Sequence, residues 1–157
     1  MYRRGDNLII FCLLILSILL LLWGFKITTN AAEEIPQTEE FTYEEAQMLL
    51  QIAQAEAGNQ GEDGMFLVLS TILNRRDSDL FPNTISGVIT QPGQYYTAGM
   101  GKTEISPECH EALARIERGE RALQIVAFEQ IKSKKLEQYF CPAFEYRNHR
   151  FLTLKNK

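Results

Sequence analysis

The stretch MFLVLSTIL, residues 65–73, decides the fold of this chain. Its apolar side chains cover most of the circumference of a helix, so a helix formed here has to run through the centre of a domain. We predict this central helix over residues 62–75. The chain has 157 residues, of which 45% are hydrophobic and 23% are charged, and these values are typical of one globular domain.

Further helices are predicted on both sides of the central helix. One begins at Thr42, because Thr42 and Glu45 fit a capping box and apolar residues follow at helical spacing. Gly58 is a natural stop for it. A second helix, over residues 106–119, opens with Ser-Pro and closes with Gly. Residues 84–89 predict a short helix.

The β signals are weaker and come late in the chain. Residues 122–128, ALQIVAF, are apolar and partly β-branched, so their period leaves helix and strand both open. Residues 139–154 alternate aromatic and polar residues around Arg-Asn, which predicts a β-hairpin. Residues 91–101, QPGQYYTAGMG, predict a loop. The expected fold class is α+β, mainly α, with a small β element.

The N-terminus predicts a membrane anchor. Residues 8–25 carry no charge and are just long enough to cross a bilayer core as a helix. Arg3 and Arg4 precede them, so the positive-inside bias places the rest of the chain outside the cytoplasm. We predict a single-pass cell-membrane protein anchored by residues 1–26. Small residues at 29–31 leave a cleaved signal and a secreted product as the alternative.

Charge and cysteine content add limited information. Residues 27–41 predict an acidic flexible linker, and residues 42–157 the domain. Residues 132–157 hold seven Lys or Arg against two Glu, although the chain has a net charge of −4. A basic end could bind an anionic polymer, but a solvated face is the more usual explanation. Cys109 and Cys141 could pair in an oxidising compartment, or remain two unpaired thiols.

One carboxylate, Glu56, lies among small and apolar residues in IAQAEAGNQG, residues 52–61. It follows Leu49 by seven residues and Ala53 by three, which places it at the margin of the apolar face of the helix. Desolvation at that margin would raise the pKa of the carboxyl group and let it act as a general acid. Cleavage of glycosidic bonds most often uses this device. On spacing alone, a glutamate at such a margin more often extends into water.

Four segments in this order resemble the SleB/CwlJ family of cell-wall hydrolases, known from spore cortex lysis during germination. They are AEAG at residues 55–58, ILNRR at 72–76, FPNTISGVI at 81–89 and QPGQY at 91–95. The resemblance covers residues 45–119 and implies a single lysozyme-like domain related to lytic transglycosylases. Toward the C-terminus it fades, because the chain lacks the Tyr/Phe-Asn-Pro strand that is common in the family.

The resemblance also implies roles for individual residues. Glu56 matches the glutamate that is the family's catalytic acid. Asn74 and Gln94 match motif positions suited to hydrogen bonding with the acetamido groups of the sugars. Tyr95 or Tyr96 matches the aromatic position of the QPGQ loop and would stack on a sugar ring.

Asn74 and its neighbour Arg75 also have a structural interpretation. They can cap the central helix and pair with Asp77 or Asp79, which follow closely in the chain. This interpretation competes with a role in sugar binding.

No second acid lies in a motif. Glu62, Asp63 and Glu104 are each more typical of a helix start or a loop. A lytic transglycosylase needs only one carboxyl group, because the substrate supplies the nucleophile. We therefore predict a membrane-anchored, monomeric lytic transglycosylase that cleaves the muramic acid–glucosamine bond, with peptidoglycan glycan strands and the cytoplasmic membrane as its partners.

Other functions stay open at this point. One is simple hydrolysis of the same bond. Another is a catalytically inactive peptidoglycan-binding or assembly protein, which would bind sacculi without releasing muropeptides. A metal-dependent cell-wall amidase would be inhibited by chelators, but the chain has only His110 and His149 and no HExxH run. We expect no metal and no cofactor. Nucleic acid is not an expected partner, since no basic stripe carries interleaved aromatic residues.

Overall fold

The computed structural model describes residues 38–95 and 100–155. The predicted membrane anchor, most of the predicted linker and Tyr96 lie outside these ranges. Within them, no helix is both long enough and apolar enough to cross a bilayer. The anchor therefore stays a prediction from sequence.

The described residues form helices first and a small sheet last. The α-helices are α1 (Tyr43–Ala57), α2 (Gly61–Arg76), α3 (Ile85–Ile89) and α4 (Pro107–Glu117). The strands are β1 (Ile125–Gln130), β2 (Phe140–Tyr146) and β3 (His149–Leu154). Both pairings are antiparallel, and the strand order is β1-β3-β2. This architecture confirms the prediction of a mixed, mainly helical fold.

The predicted helix starts are confirmed by their hydrogen bonds. Thr42 and Glu45 form a capping box, in which the Glu45 amide donates to the Thr42 hydroxyl at 3.2 Å and the Thr42 amide donates to the Glu45 carboxylate at 3.1 Å. Ser106 caps α4 in the same way, by accepting from the Cys109 amide. Helix α1 ends at Gly58 as predicted, and a short 3-10 turn, Gly58–Gln60, leads directly into α2.

Helix α2 is the predicted central helix, extended by one residue at each end. Residues 64–73 are all buried, and α2 packs against α1, α3, α4 and β1. Its two buried hydroxyl groups are satisfied, because Ser70 accepts from the Ala122 amide at 3.1 Å and Thr71 donates to the Leu67 carbonyl at 2.9 Å. The core therefore forms around α2 and fixes the positions of the ends of α1 and β1.

Tertiary pairing decides the segment that the sequence left open. Residues 125–130 form a strand, because β3 offers them hydrogen bonds in antiparallel register, with Phe128 opposite Phe151. The predicted hairpin is confirmed as β2 and β3, joined by Arg147 and Asn148. Phe128 and Phe151 lie with their ring centroids 5.9 Å apart on one face of the sheet.

The two cysteines of the domain are unpaired. Cys109 is buried in α4, where its thiol contacts the Leu50 carbonyl, whereas Cys141 is exposed on β2. A disulfide between them is therefore wrong for this structure, and the alternative of two free thiols holds.

The end of the predicted linker is held against the domain. The Glu39 carboxylate accepts hydrogen bonds from Arg76 at 2.9 and 3.1 Å and from Arg121 at 2.7 Å. Its amide donates to the Glu117 carbonyl at 3.1 Å. The hydrogen bond from Arg76, with the charges of both arginines, lowers the pKa of Glu39 in spite of partial burial. The sequence did not indicate this attachment, because both arginines are distant in the chain.

We expect Glu39→Gln to lower the free energy of unfolding by about 1 kcal/mol at pH 7. Since folding depresses the pKa of Glu39, its contribution is present above the unfolded value near 4.5 and is lost as the pH falls through the folded value. Urea unfolding at pH 7 and at pH 3 measures this difference. The matched control is Glu40→Gln at the exposed neighbouring residue. A Glu39→Gln deficit that persists unchanged at pH 3 would contradict the electrostatic explanation.

Candidate active site

Glu56 lies in the last turn of α1, at the margin of its buried face. Leu49, Ile52 and Ala53 on the same side of the helix are fully buried, whereas Glu56 is half-buried. The placement at the margin agrees with the prediction from spacing. The side chain is neither sealed in the core nor fully exposed, which is the environment that a carboxyl group needs in order to meet a substrate.

Tyr95 is a neighbour of Glu56, because the charge of Glu56 affects its pKa. Its side chain is 9% exposed, and its hydroxyl has no hydrogen-bond partner within the described residues. Burial raises the pKa of Tyr95 to about 12, Arg75 opposes this shift, and the charge of Glu56 adds to it. The hydroxyl therefore stays protonated at physiological pH, and Glu56 is near enough for its charge to act on it. Burial leaves little ring surface for a sugar, so the hydroxyl rather than stacking is the useful group.

Arg75 supports Tyr95 from the central helix. It is only 4% exposed, and its guanidinium carbon lies 5.6 Å from the ring centroid of Tyr95 and 5.0 Å from that of Phe81. Its Nη1 donates to Gln94 Oε1 at 2.7 Å, and its Nε donates to the Val126 carbonyl. Burial lowers the pKa of Arg75, though a guanidinium stays charged. Arg75 thus joins α2, the loop before Tyr95 and β1.

Asn74 fixes the approach to β1. Its amide nitrogen donates to the carbonyls of Ala122 and Ile125, both at 2.8 Å. The predicted alternative, in which Asn74 and Arg75 pair with nearby acids, is wrong in its partners: Arg76, not Arg75, pairs with Asp77 at 2.6 Å. Both donor protons of the Asn74 amide are used inside the domain.

The other predicted sugar-binding residues are placed unevenly. Gln94 is exposed, and its carbonyl oxygen is held by Arg75, so its amide nitrogen faces outward from a fixed position. Tyr96 lies outside the described residues. Of the sugar-binding residues predicted in the QPGQ loop, Gln94 and Tyr95 therefore lie against Arg75 in the part of the chain that the structure describes.

An aromatic wall on the sheet faces Tyr95. Phe128 lies 6.1 Å from Tyr95 and 5.1 Å from His149, measured between ring centroids. His149 is buried, and its Nδ1 lies 3.0 Å from Gln60 Nε2. Because an amide nitrogen can only donate, His149 Nδ1 accepts and its proton is on Nε2. Burial lowers the pKa of His149, so the ring is neutral.

Sequence reasoning missed Gln60 and the supporting role of Arg75. Gln60 is buried in the turn after α1, and no periodicity or motif marked it. The hydrogen bonds that Arg75 makes from α2 to the loop and to β1 could not be predicted from residue spacing, because the partners are as many as 51 residues apart in the chain.

Two of the three acids considered from sequence, Glu62 and Asp63, have other partners, and so has Glu129 on the sheet. Glu62 and Asp63, in the first turn of α2, bind Arg115 at 3.1 and 2.9 Å. Glu129 accepts from the Leu136 amide and, as the residue after Phe128 in a strand, points to the opposite face of the sheet. Glu104 is exposed in a loop. Among residues 38–95 and 100–155, no three His, Cys, Asp or Glu side chains gather in a way that could hold a metal ion.

Comparison with protein families gives one match that covers most of the domain. The family model described as Cell Wall Hydrolase matches residues 59–152, which is more than half of the chain. The matched range contains α2, α3, α4, β1, β2 and most of β3. It begins three residues after Glu56, so the role of Glu56 rests on the resemblance of residues 55–58 and on geometry.

Two curated relatives are spore cortex-lytic enzymes. The one from Oceanobacillus iheyensis is 28% identical over 79 residues, which are 50% of this chain and 29% of that protein. The one from Bacillus subtilis strain 168 is 31% identical over 67 residues, which are 43% of this chain and 22% of that protein. The chain therefore spans less than a third of the length of either relative.

Two solved structures share the fold. The catalytic domain of the germination-specific lytic transglycosylase SleB from Bacillus anthracis superposes with a TM-score of 0.64 at 20% identity, covering 74% of this chain and 100% of that one. The catalytic domain of the Bacillus cereus SleB protein gives a TM-score of 0.64 at 19% identity, covering 78% and 100%. At this identity the likeness establishes a SleB catalytic-domain fold.

Proposed function

This chain belongs to the Cell Wall Hydrolase family, and on that premise we propose that it is an enzyme that cleaves the glycan strands of peptidoglycan. The observation that carries the proposal is the position of Glu56. Its carboxyl group is half-buried at the end of α1 and close to the buried, protonated hydroxyl of Tyr95. The fold shared with a lytic transglycosylase supports the same activity.

The proposed reaction is a lytic transglycosylation with Glu56 as acid and then base. Glu56 donates its proton to the oxygen that links muramic acid to glucosamine, and the bond between that oxygen and the anomeric carbon breaks. The Glu56 carboxylate then accepts the proton of the C6 hydroxyl of the same muramic acid. The C6 oxygen bonds to the anomeric carbon, which gives a 1,6-anhydromuramic end and a free hydroxyl on glucosamine. Glu56 recovers its proton, and no water is consumed.

A single acid fits the surroundings of Glu56. Hydrolysis by two carboxylates needs a second acid across the bond. Glu62 and Asp63 are the nearest acids that follow Glu56 in the sequence, and both bind Arg115. This arrangement supports transglycosylation over hydrolysis.

Tyr95 has a supporting role in this mechanism. Its hydroxyl is protonated, because burial raises its pKa to about 12. A donor held in a dry site favours the negative charge that Glu56 acquires when it gives up its proton. Arg75 fixes the position of Tyr95 and is a positioning residue, since it acts through the ring and through Gln94.

We also propose that the enzyme acts at the outer side of the cytoplasmic membrane as a monomer. The support is the uncharged run at residues 8–25, preceded by two arginines. Cleavage of that segment would give a secreted form of the same enzyme.

Mass spectrometry of sacculi treated with the full chain tests the reaction. We expect soluble muropeptides with 1,6-anhydromuramic ends, and no incorporation of oxygen when the digestion is run in heavy-oxygen water. Incorporation at new reducing ends would instead identify a hydrolase. Binding to sacculi with no soluble product would favour the non-catalytic binding protein and contradict the proposal.

A further inference from the structure

The C-terminal part of the domain carries a positive charge that its own acids do not balance. Residues 132–157 contain seven Lys or Arg and two Glu. Both of these acids bind Arg150, Glu137 at 2.6 Å and Glu145 at 2.8 Å. The charges of the other basic residues in this part therefore stay uncompensated by its acids.

Two of these cations lie at the same end of the sheet. Lys132 and Arg147 are exposed, and the two acids of this part, Glu137 and Glu145, pair with Arg150. The Ile131 amide donates to the Asn148 carbonyl at 3.1 Å, which joins the loop of Lys132 to the hairpin turn of Arg147. We call Lys132 and Arg147 the basic rim. A cavity of about 360 Å³ beside it is lined by Gln130, Ile131, Lys132 and Asn148.

Arg147 holds its position at a conformational cost. Its φ is +49°, in the left-handed region that favours glycine, at the first residue of a two-residue hairpin turn. A non-glycine residue there costs roughly 1–2 kcal/mol. The positive φ closes the two-residue turn between β2 and β3, and the Arg147 side chain on it is exposed.

The basic rim borders the candidate active site. The Arg147 guanidinium carbon lies 5.6 Å from the ring centroid of Tyr146. Its two terminal nitrogens lie 3.6 and 3.7 Å from the position that a Cβ atom would take at Gly61. Gly61 follows Glu56 by five residues, through the turn that also holds Gln60 against His149. Arg147 therefore lies beside the start of α2, one short turn along the chain from the helix end that carries Glu56.

We propose that the basic rim binds carboxylates on the peptide substituents of the glycan strand, so that the enzyme prefers peptide-bearing strands to bare ones. This inference rests on the proposed function. Muramic acid in peptidoglycan carries peptides with free carboxylates, and a guanidinium and an ammonium are their natural partners. We expect the anion to belong to the strand itself, because Arg147 lies at Gly61, just after the turn that follows the helix of Glu56. Exposed pairs of this kind act mainly on binding and weaken with salt.

The test uses the full chain in mild detergent and two forms of the same sacculi. One form is native, and in the other the peptide carboxylates are converted to amides with carbodiimide and ammonia. The variant combines Lys132→Gln with Arg147→Gly, and the glycine suits the left-handed turn, so folding is preserved. The control is Arg118→Gln, which removes an exposed arginine that pairs with Glu120.

On native sacculi at low salt, we expect the double variant to need a roughly tenfold higher sacculus concentration for half-maximal rate, with the maximal rate unchanged. On amidated sacculi, wild type and variant should behave alike. Arg118→Gln should match wild type on both. The inference is wrong if wild type and double variant need the same concentration of native sacculi for half-maximal rate. It is also wrong if amidation of the sacculi leaves that concentration unchanged for wild type.

Two further outcomes separate the possible failures. If the effect of the double variant vanishes when phosphate-containing wall polymers are stripped, and not on amidation, the anion is a phosphodiester and the proposal is wrong. If wild type releases no product from any sacculi, the proposed function fails. Pull-down of wild type and double variant with native and amidated sacculi then still decides whether the rim binds carboxylates.

Discussion

Replacing Glu56 with glutamine should lower the rate of wall cleavage by roughly 10³-fold while leaving the fold intact. The amide has the size of the carboxyl group but cannot donate the proton that the leaving oxygen requires. Since Glu56 is half-buried at the end of α1, an isosteric change there removes no packing from the core. Release of soluble muropeptides and the urea unfolding midpoint measure the two parts of this expectation.

Glu62→Gln is the matched control for Glu56→Gln. Glu62 lies six residues further along, also near a helix end, and Arg115 keeps Asp63 and Glu120 as partners when Glu62 is neutral. We expect this variant to retain cleavage. Lytic activity that survives Glu56→Gln would remove Glu56 from the mechanism, and the same loss in both variants would show that the charge matters only for structure.

Local signals predicted the helical part of the fold. Thr42 with Glu45, and Ser106 with the proline after it, mark helix starts because capping involves residues only three positions apart. The apolar run at residues 65–73 marks the centre because a helix with no polar face has to be covered on all sides. These features depend on near neighbours, so sequence alone defines them.

The sheet shows where local reasoning ends. Residues 125–130 have no preference that separates strand from helix, and only the backbone of β3 makes them a strand. The attachment of Glu39 is of the same kind, because its partners Arg76 and Arg121 lie 37 and 82 positions away. Pairings between distant residues leave no trace in the spacing of one sequence.

The candidate site was also predictable only in part, for the same reason. The position of Glu56 at a helix margin was readable from spacing to Leu49 and Ala53. The burial of Tyr95 was not, because it depends on Arg75 and Phe128 reaching it from two other elements. Stacking of Tyr95 on a sugar was a reasonable prediction for an exposed loop tyrosine, and burial now favours its hydroxyl instead.

Arg75→Met should cost about 3 kcal/mol of unfolding free energy and most of the cleavage activity. Methionine fills much of the same volume, but it leaves the Val126 carbonyl without its donor and releases Gln94. It also removes the cation from between the rings of Phe81 and Tyr95. With α2 no longer joined to the loop, we expect Tyr95 to lose the position from which we propose that its hydroxyl acts on Glu56.

Stability and activity have to be separated for this variant. The urea midpoint gives the first, and muropeptide release at a temperature where Arg75→Met is fully folded gives the second. Arg118→Gln, at an exposed arginine, should change unfolding by less than about 0.5 kcal/mol and leave activity alone. Arg75→Lys keeps the charge but cannot reach both acceptors in the same geometry. We therefore expect its losses of stability and of activity to lie between those of Arg75→Met and Arg118→Gln. If folded Arg75→Met cleaves sacculi at the wild-type rate, Arg75 is only part of the core, and Tyr95 does not depend on it for a position beside Glu56.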